Sequence, residues 1–250
     1  MIGVLKSELF KLRTTRATKI VVLSAILLPA IIFILTSIFA FDNGEIGESL
    51  IAMVSNFIPL TALLIGVVGV LCSTQEYSQG TIRITLVATP NRLKVLLAKM
   101  LTMVTVSVCS AAVLLVLCLI PSRFILQSRD VTFDVIGQDI RILFSAFILM
   151  VLIGQLGLSL GLIFKSSPGA ISALLIWPTL LEGMVFGLLS LAFKDTNMFK
   201  FAPVQGNGFQ LVSPFFNSDQ NTWLTSLVYF SAFISVFIAV GMVLFSRRDA

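Results

Sequence analysis

The sequence predicts an all-α, polytopic membrane protein: six transmembrane helices behind an amphipathic N-terminal helix, with one sizeable internal cytoplasmic segment. Three observations carry this. Of 250 residues, 57% are hydrophobic and 12% charged, against about 45–50% and 25% in soluble domains. Mean hydropathy is +1.04, more apolar surface than a folded core of this size hides from water. The apolar residues fall in charge-free runs near the roughly 20 residues that cross a bilayer core of about 30 Å. The basic residues gather on one side of those runs.

Residues 1–19 come first. Ile2, Leu5, Leu9 and Leu12 recur at steps of three and four, while Lys6, Glu8, Lys11 and Arg13 are assigned to the remaining surface. This is the pattern of a basic amphipathic helix in the membrane interface. It serves either to anchor the first span to anionic lipid or as a platform for a cytoplasmic partner. The spans follow at approximately 20–41, 50–74, 100–121, 142–164, 168–193 and 223–245. The first run exceeds the about 7–15 residues of a secretory core, so an uncleaved first helix is expected. Pro29, Pro59 and Pro178 are expected to kink their spans.

Charge sets the orientation. With the N-terminus inside, the cytoplasmic segments hold Lys6, Lys11, Arg13, Arg16, Lys19, Arg83, Arg92, Lys94, Lys99, Lys165, Arg247 and Arg248. The other side holds Arg123, Arg129, Arg141, Lys194 and Lys200. The positive-inside rule favours this arrangement, with both termini cytoplasmic. The net charge of +5 is then a record of topology, and nucleic acid is not an expected partner. Histidine is absent, which removes the commonest general base and transition-metal ligand. Cys72, Cys109 and Cys118 lie inside apolar runs without ligand spacing, so no metal site is expected.

Two loops exceed what a turn needs. The segment 75–99, between spans two and three, joins two signals. Thr81–Leu86 alternates polar and apolar residues, which fits a strand or a short helix flat on the membrane, and Thr89-Pro90 reads as a helix start. Such an exposed segment suits either contact with another protein or simple solvation. The external segment 194–221 is too apolar for a free loop; it either dips back towards the membrane or packs on the helix ends.

Within the spans, Glu182 is the one ionisable residue deep in a run. It marks a substrate path or a helix break, the break being favoured. The pairs Gly157/Gly161 and Gly183/Gly187 permit close helix approach. An ion-coupled secondary transporter would need more intramembrane ligands than one carboxylate. A membrane-embedded enzyme lacks any clustered chemistry.

Three patterns carry a family resemblance: Ser7-Glu8-Leu9-Phe10-Lys11-Leu12-Arg13; Glu76-Tyr77-Ser78-Gln79-Gly80-Thr81 followed by Leu86, Pro90, Arg92 and Lys99; and the ending Arg247-Arg248-Asp249. With the span count, they make the chain resemble the small six-span permease of ABC-2 type transporters. The resemblance implies the membrane subunit of an exporter in the cell membrane, moving an amphipathic or hydrophobic substrate. Two permeases, as a homodimer or pseudo-dimer, would pair with separate ABC ATPase subunits. No Gly-x-x-x-x-Gly-Lys-Ser/Thr phosphate loop occurs, so this chain would bind no cofactor, and ATP and Mg would belong to the partner. The resemblance further implies a coupling helix in 75–99 that docks on the ATPase through Glu76, Tyr77, Gly80, Thr81, Arg83, Pro90 and Arg92. Glu8, Lys11 and Arg13 of the N-terminal helix would lie beside it. Lys165 and Ser166 would form a second cytoplasmic contact, and re-entrant helices are implied for 194–221.

Overall fold

The computed structural model describes residues 2–39, 50–82, 85, 87, 91–128, 140–194, 196–213 and 221–247. In chain order the helices are α1 (Ile2–Thr14), α2 (Arg16–Phe39), α3 (Leu50–Ser55), α4 (Ile58–Ser78), α5 (Arg92–Gln127), α6 (Ile140–Phe164), α7 (Ser167–Ile176), α8 (Glu182–Phe193) and α9 (Trp223–Arg247). There is no strand among the described residues. Six stretches are long and apolar enough to cross a membrane: α2, α4, α5, α6, the joined α7–α8, and α9. The chain is therefore an all-α, multi-pass membrane protein.

Boundaries differ from expectation where proline decides them. The second span begins at Ile58, after the separate helix α3. Pro59 occupies the first turn of α4, where a missing N–H leaves no bond unmade; it starts this helix instead of kinking it. Pro29, by contrast, lies inside α2. The third span is longer than expected. Helix α5 has 36 residues, roughly 54 Å of rise, and so runs well beyond a core of about 30 Å. It starts at Arg92, with Asn91 Oδ1 accepting the Lys94 N–H at 3.1 Å as its N-cap. The cap is Asn91 and not Thr89; Thr89 and Pro90 lie outside the described residues.

The core is built on α4 and α6. Of their most apolar windows, 78% and 67% is buried, against 17% for each of the last two spans. The cause is small side chains. A Cβ on Gly157 would stand 1.9 Å from the Gly66 carbonyl oxygen, and one on Gly161 would stand 2.0 Å from Ser73 Oγ. The two backbones touch, so Gly157 and Gly161 serve packing inside the chain. Gly187 has nothing within 4 Å of its hypothetical Cβ and takes no part in such a contact.

The fifth span is interrupted. Between α7 and α8, residues Trp177–Leu181 form a π-helical segment carrying Pro178, a usual site for a bulge in an α-helix. Directly after it stands Glu182, fully buried. Its Oε1 accepts the backbone N–H groups of Val204 at 2.7 Å and Gln205 at 2.8 Å. The Gln205 side-chain amide donates to the Pro178 carbonyl. Glu182 begins α8, which ends at Phe193, so Val204 has returned to the start of that helix, roughly 16 Å back from its end. The segment after α8, made of the short helices Thr196–Phe201, Pro203–Gly208 and Phe209–Val212, thus folds back along it. Ala202, Val204, Leu211 and Val212 are buried, so the segment is packed against the helices.

Replacing Gly157 by leucine forces α4 and α6 apart. We expect a loss of about 3 kcal/mol or more, seen as a lower thermal midpoint in detergent, with a much smaller change for Gly187→Leu.

Candidate functional site: a ring of buried ion pairs

At the end of the bundle where α1 meets α4 and α5, four charged side chains close a ring. Lys11 Nζ lies 2.6 Å from Glu8 Oε1 and 2.6 Å from Glu76 Oε1. Lys99 Nζ lies 2.8 Å from Glu8 Oε2 and 3.0 Å from Glu76 Oε2. Each lysine bridges both glutamates, and each glutamate gives one oxygen to each lysine. The quartet is neutral. Lys99 is 1% exposed, Glu8 2% and Glu76 6%, whereas Lys11 keeps one flank in solvent.

An ammonium has three donors, and the surroundings absorb them. Lys11 also meets Thr85 Oγ1 at 3.4 Å, and Lys99 donates to the Cys72 carbonyl at 3.3 Å. Burial opposes charge on Glu8, yet Lys99 and Lys11 outweigh it and hold its carboxyl below the ordinary 4.5. Burial likewise opposes charge on Lys11, but Glu76 and Glu8 prevail and raise it above the ordinary 10.5. Taking three charges and part of a fourth out of water is costly, and a closed neutral set is what offsets the cost. Removing one member strands its partners.

Local sequence explains how each residue arrives. Glu8 lies three residues after Leu5 and four before Leu12, on the same face as the buried Leu12. The expectation that Glu8 sits away from the apolar face is therefore wrong: it is the polar member of that face. Glu76 is in the last turn of α4. Lys99 is two turns into α5, and its neighbour Ala98 is fully buried.

The predicted coupling residues divide. Glu8, Lys11 and Glu76 converge in the ring, joined by Lys99, which is not among the expected coupling residues. Above it opens a cavity of about 220 Å³, lined by Glu8, Lys11, Gln75, Glu76, Gln79 and Thr81. Gly80 is exposed at φ 66°, ending α4 in the left-handed conformation. The Thr85 N–H bonds to the Thr81 carbonyl at 3.1 Å, one turn of helix instead of a strand. Tyr77 receives Lys165 Nζ 5.2 Å from its ring centroid, so the two predicted cytoplasmic contacts are neighbours. Lys165 turns the chain at φ 56°, and Ser166 beside it is exposed.

Arg92 faces elsewhere. Its Nη1 donates to the carbonyls of Phe245 at 3.3 Å and Ser246 at 3.1 Å, tying the start of α5 to the C-terminal end of α9. Arg13 lies on the exposed side of α1. Arg83 and Pro90 lie outside the described residues. Glu182 belongs to the helix break and is engaged with the returning segment, as already described.

Two outcomes follow. Lys99→Met leaves two buried carboxylates sharing one lysine and should cost about 3–5 kcal/mol, measured by thermal unfolding in detergent; adding Glu8→Gln should recover part of that loss. Acid should release α1. Because the Glu8 carboxyl is depressed when folded, its contribution is complete above 4.5 and is lost as pH falls through the lower folded value. Lys11 is raised, so its contribution is present below 10.5 and fades only above it. The protection factor of the α1 amides, their exchange relative to the unstructured rate at the same pH, should therefore be high and flat between these limits and fall on acidification below 4.5.

The comparisons agree with this architecture. The family model described as "ABC-2 family transporter protein" matches residues 4–176, which takes in the ring, the central α4–α6 pair and the Lys165 turn. A search of curated proteins finds no match. On the strength of a match over more than half its length, the chain belongs to the ABC-2 family of transporter proteins.

Proposed function

We propose that this protein is the permease subunit of an exporter in the cell membrane, driven by a separate ABC ATPase that docks beside the ion-pair ring. The ring carries the reading. It locks the N-terminal helix α1 to the second and third spans, α4 and α5, directly beneath the polar cavity lined by Gln75, Gln79 and Thr81. A push on α1 or on the end of α4 therefore moves α5 with it, because separating them would expose unpaired buried charge. Tyr77 and Lys165 extend the same surface to the turn between α6 and α7.

In this reading ATP and Mg act in the partner, and the permease contributes no catalytic residue. Closure of two ATPases draws two permeases together and shifts their span bundles between inward- and outward-facing states. Both termini are cytoplasmic, in keeping with the basic segments at that end. The segment Thr196–Val212 is re-entrant, held at depth by Glu182. The substrate is hydrophobic or amphipathic. An apolar cavity of about 310 Å³ beside the helix break, edged by Phe164, Trp177, Phe233 and Phe237, suits its apolar part.

The test separates docking from transmission, using the permease reconstituted with its ATPase. Gly80→Trp places bulk at the docking surface and should abolish co-purification. Lys99→Met, buried, should leave co-purification intact while reducing substrate-stimulated ATP turnover at least about tenfold, the equivalent of roughly 1.4 kcal/mol of coupling. Survival of both co-purification and stimulated turnover in both variants would show the coupling assignment to be wrong.

A further inference from the structure

A second cavity lies on the other side of the N-terminal helix. It is a groove of about 630 Å³ between the α1–α2 elbow and α5, within the range of ligand-sized sites. Below its mouth the walls are almost wholly apolar, with Val22 and Ile26 facing Val106 and Val113. The lining runs from Thr105 to Val113 on α5, roughly 12 Å of helix. At the mouth stand Arg13 and Lys19, both exposed. Just inside is Thr18, 2% exposed, whose Oγ1 is buried without a hydrogen-bond partner among the described residues.

We propose that this groove seats one anionic phospholipid of the leaflet on the ring side of the bundle. The phosphate sits between Arg13 and Lys19, Thr18 Oγ1 donates to a phosphate or glycerol-ester oxygen, and an acyl chain lies along α2 and α5. The order of chemistry matches that of the molecule: two cations, then a hydroxyl lacking an acceptor, then apolar wall. Charge complementarity selects the occupant. Among the described residues the acids are Glu8, Glu76 and Glu182; the first two are held in the ring and the third by the returning segment. None is left on this face to meet Arg13 and Lys19, so a second copy of the chain has no described carboxylate to offer there. A buried hydroxyl without a partner costs free energy, which an occupant of this chemistry relieves.

The experiment uses the full chain in detergent with phosphatidylglycerol or phosphatidylcholine, read by native mass spectrometry. Wild type should retain one phosphatidylglycerol per chain and little phosphatidylcholine, and inorganic phosphate should not displace it. Arg13→Gln with Lys19→Gln should weaken retention on the order of tenfold, and Cys109→Trp, which plugs the groove, should prevent it. Cys109 is exposed whereas Cys72 and Cys118 are buried, so it also reports occupancy without any mutation. Phosphatidylglycerol should slow maleimide labelling of wild-type Cys109 about fivefold or more, and phosphatidylcholine should not. Equal retention of the two lipids, unchanged retention in the double variant, or equal labelling rates would each overturn the proposal. A wild-type dimer that the double variant or the Trp variant dissociates, with no lipid held, would assign the face to a second copy instead.

Discussion

The end of the bundle where α1 meets α4 and α5 depends on four charges summing to zero, three of them out of water. Glu8 and Glu76 supply four oxygens, and Lys11 and Lys99 each take two. The geometry is reciprocal, so no single contact can loosen without weakening the others. A buried pair is weak evidence of stability, because apolar residues of equal volume often do as well. A closed ring offers something apolar packing does not, which is an all-or-none junction. Its members come from three separate helices, so the junction holds a register between them. That property suits a part that must transmit movement without slipping.

The opposite half of the bundle is organised by a different device. Glu182 follows a π-helical interruption and spends one oxygen on two backbone N–H groups of the returning segment. Irregular backbone buried among helices needs its polar groups satisfied by protein. One carboxylate and the Gln205 amide do this work locally. The central contact between Gly157 and Gly66 then leaves α4 and α6 no room to slide. The fold therefore has a rigid middle, a charged junction at one end and a returning segment at the other.

The apolar runs were legible because length and charge spacing are local properties, and all six candidate spans coincide with helices in the structure. Boundaries were less so. Whether Pro59 kinks a helix or starts one depends on where the preceding turn breaks, at Asn56 and Phe57, and composition does not reveal that. The ring was not legible as a ring. Lys11 and Glu76 are 65 residues apart, and Glu8 and Lys99 are 91 apart, so no local pattern pairs them. Glu76 looked like a surface residue because Gln75, Ser78 and Gln79 surround it. One signal was available: Glu8 shares the face of Leu5 and Leu12, and a carboxylate on an apolar stripe asks for a buried partner. The break at Glu182, by contrast, was announced by the Trp177-Pro178 step before it.

The distance between ring members along the chain has a consequence in time. Glu8 leaves the ribosome 91 residues ahead of Lys99, a delay of roughly 5–20 s at ordinary rates of synthesis. During that interval Lys11 and then Glu76 are available to α1, but the ring cannot close. The last counter-charge arrives with the start of the third span, two turns into α5. Closure of the ring thus waits on the third span, and α1 settles only after residues made well behind it.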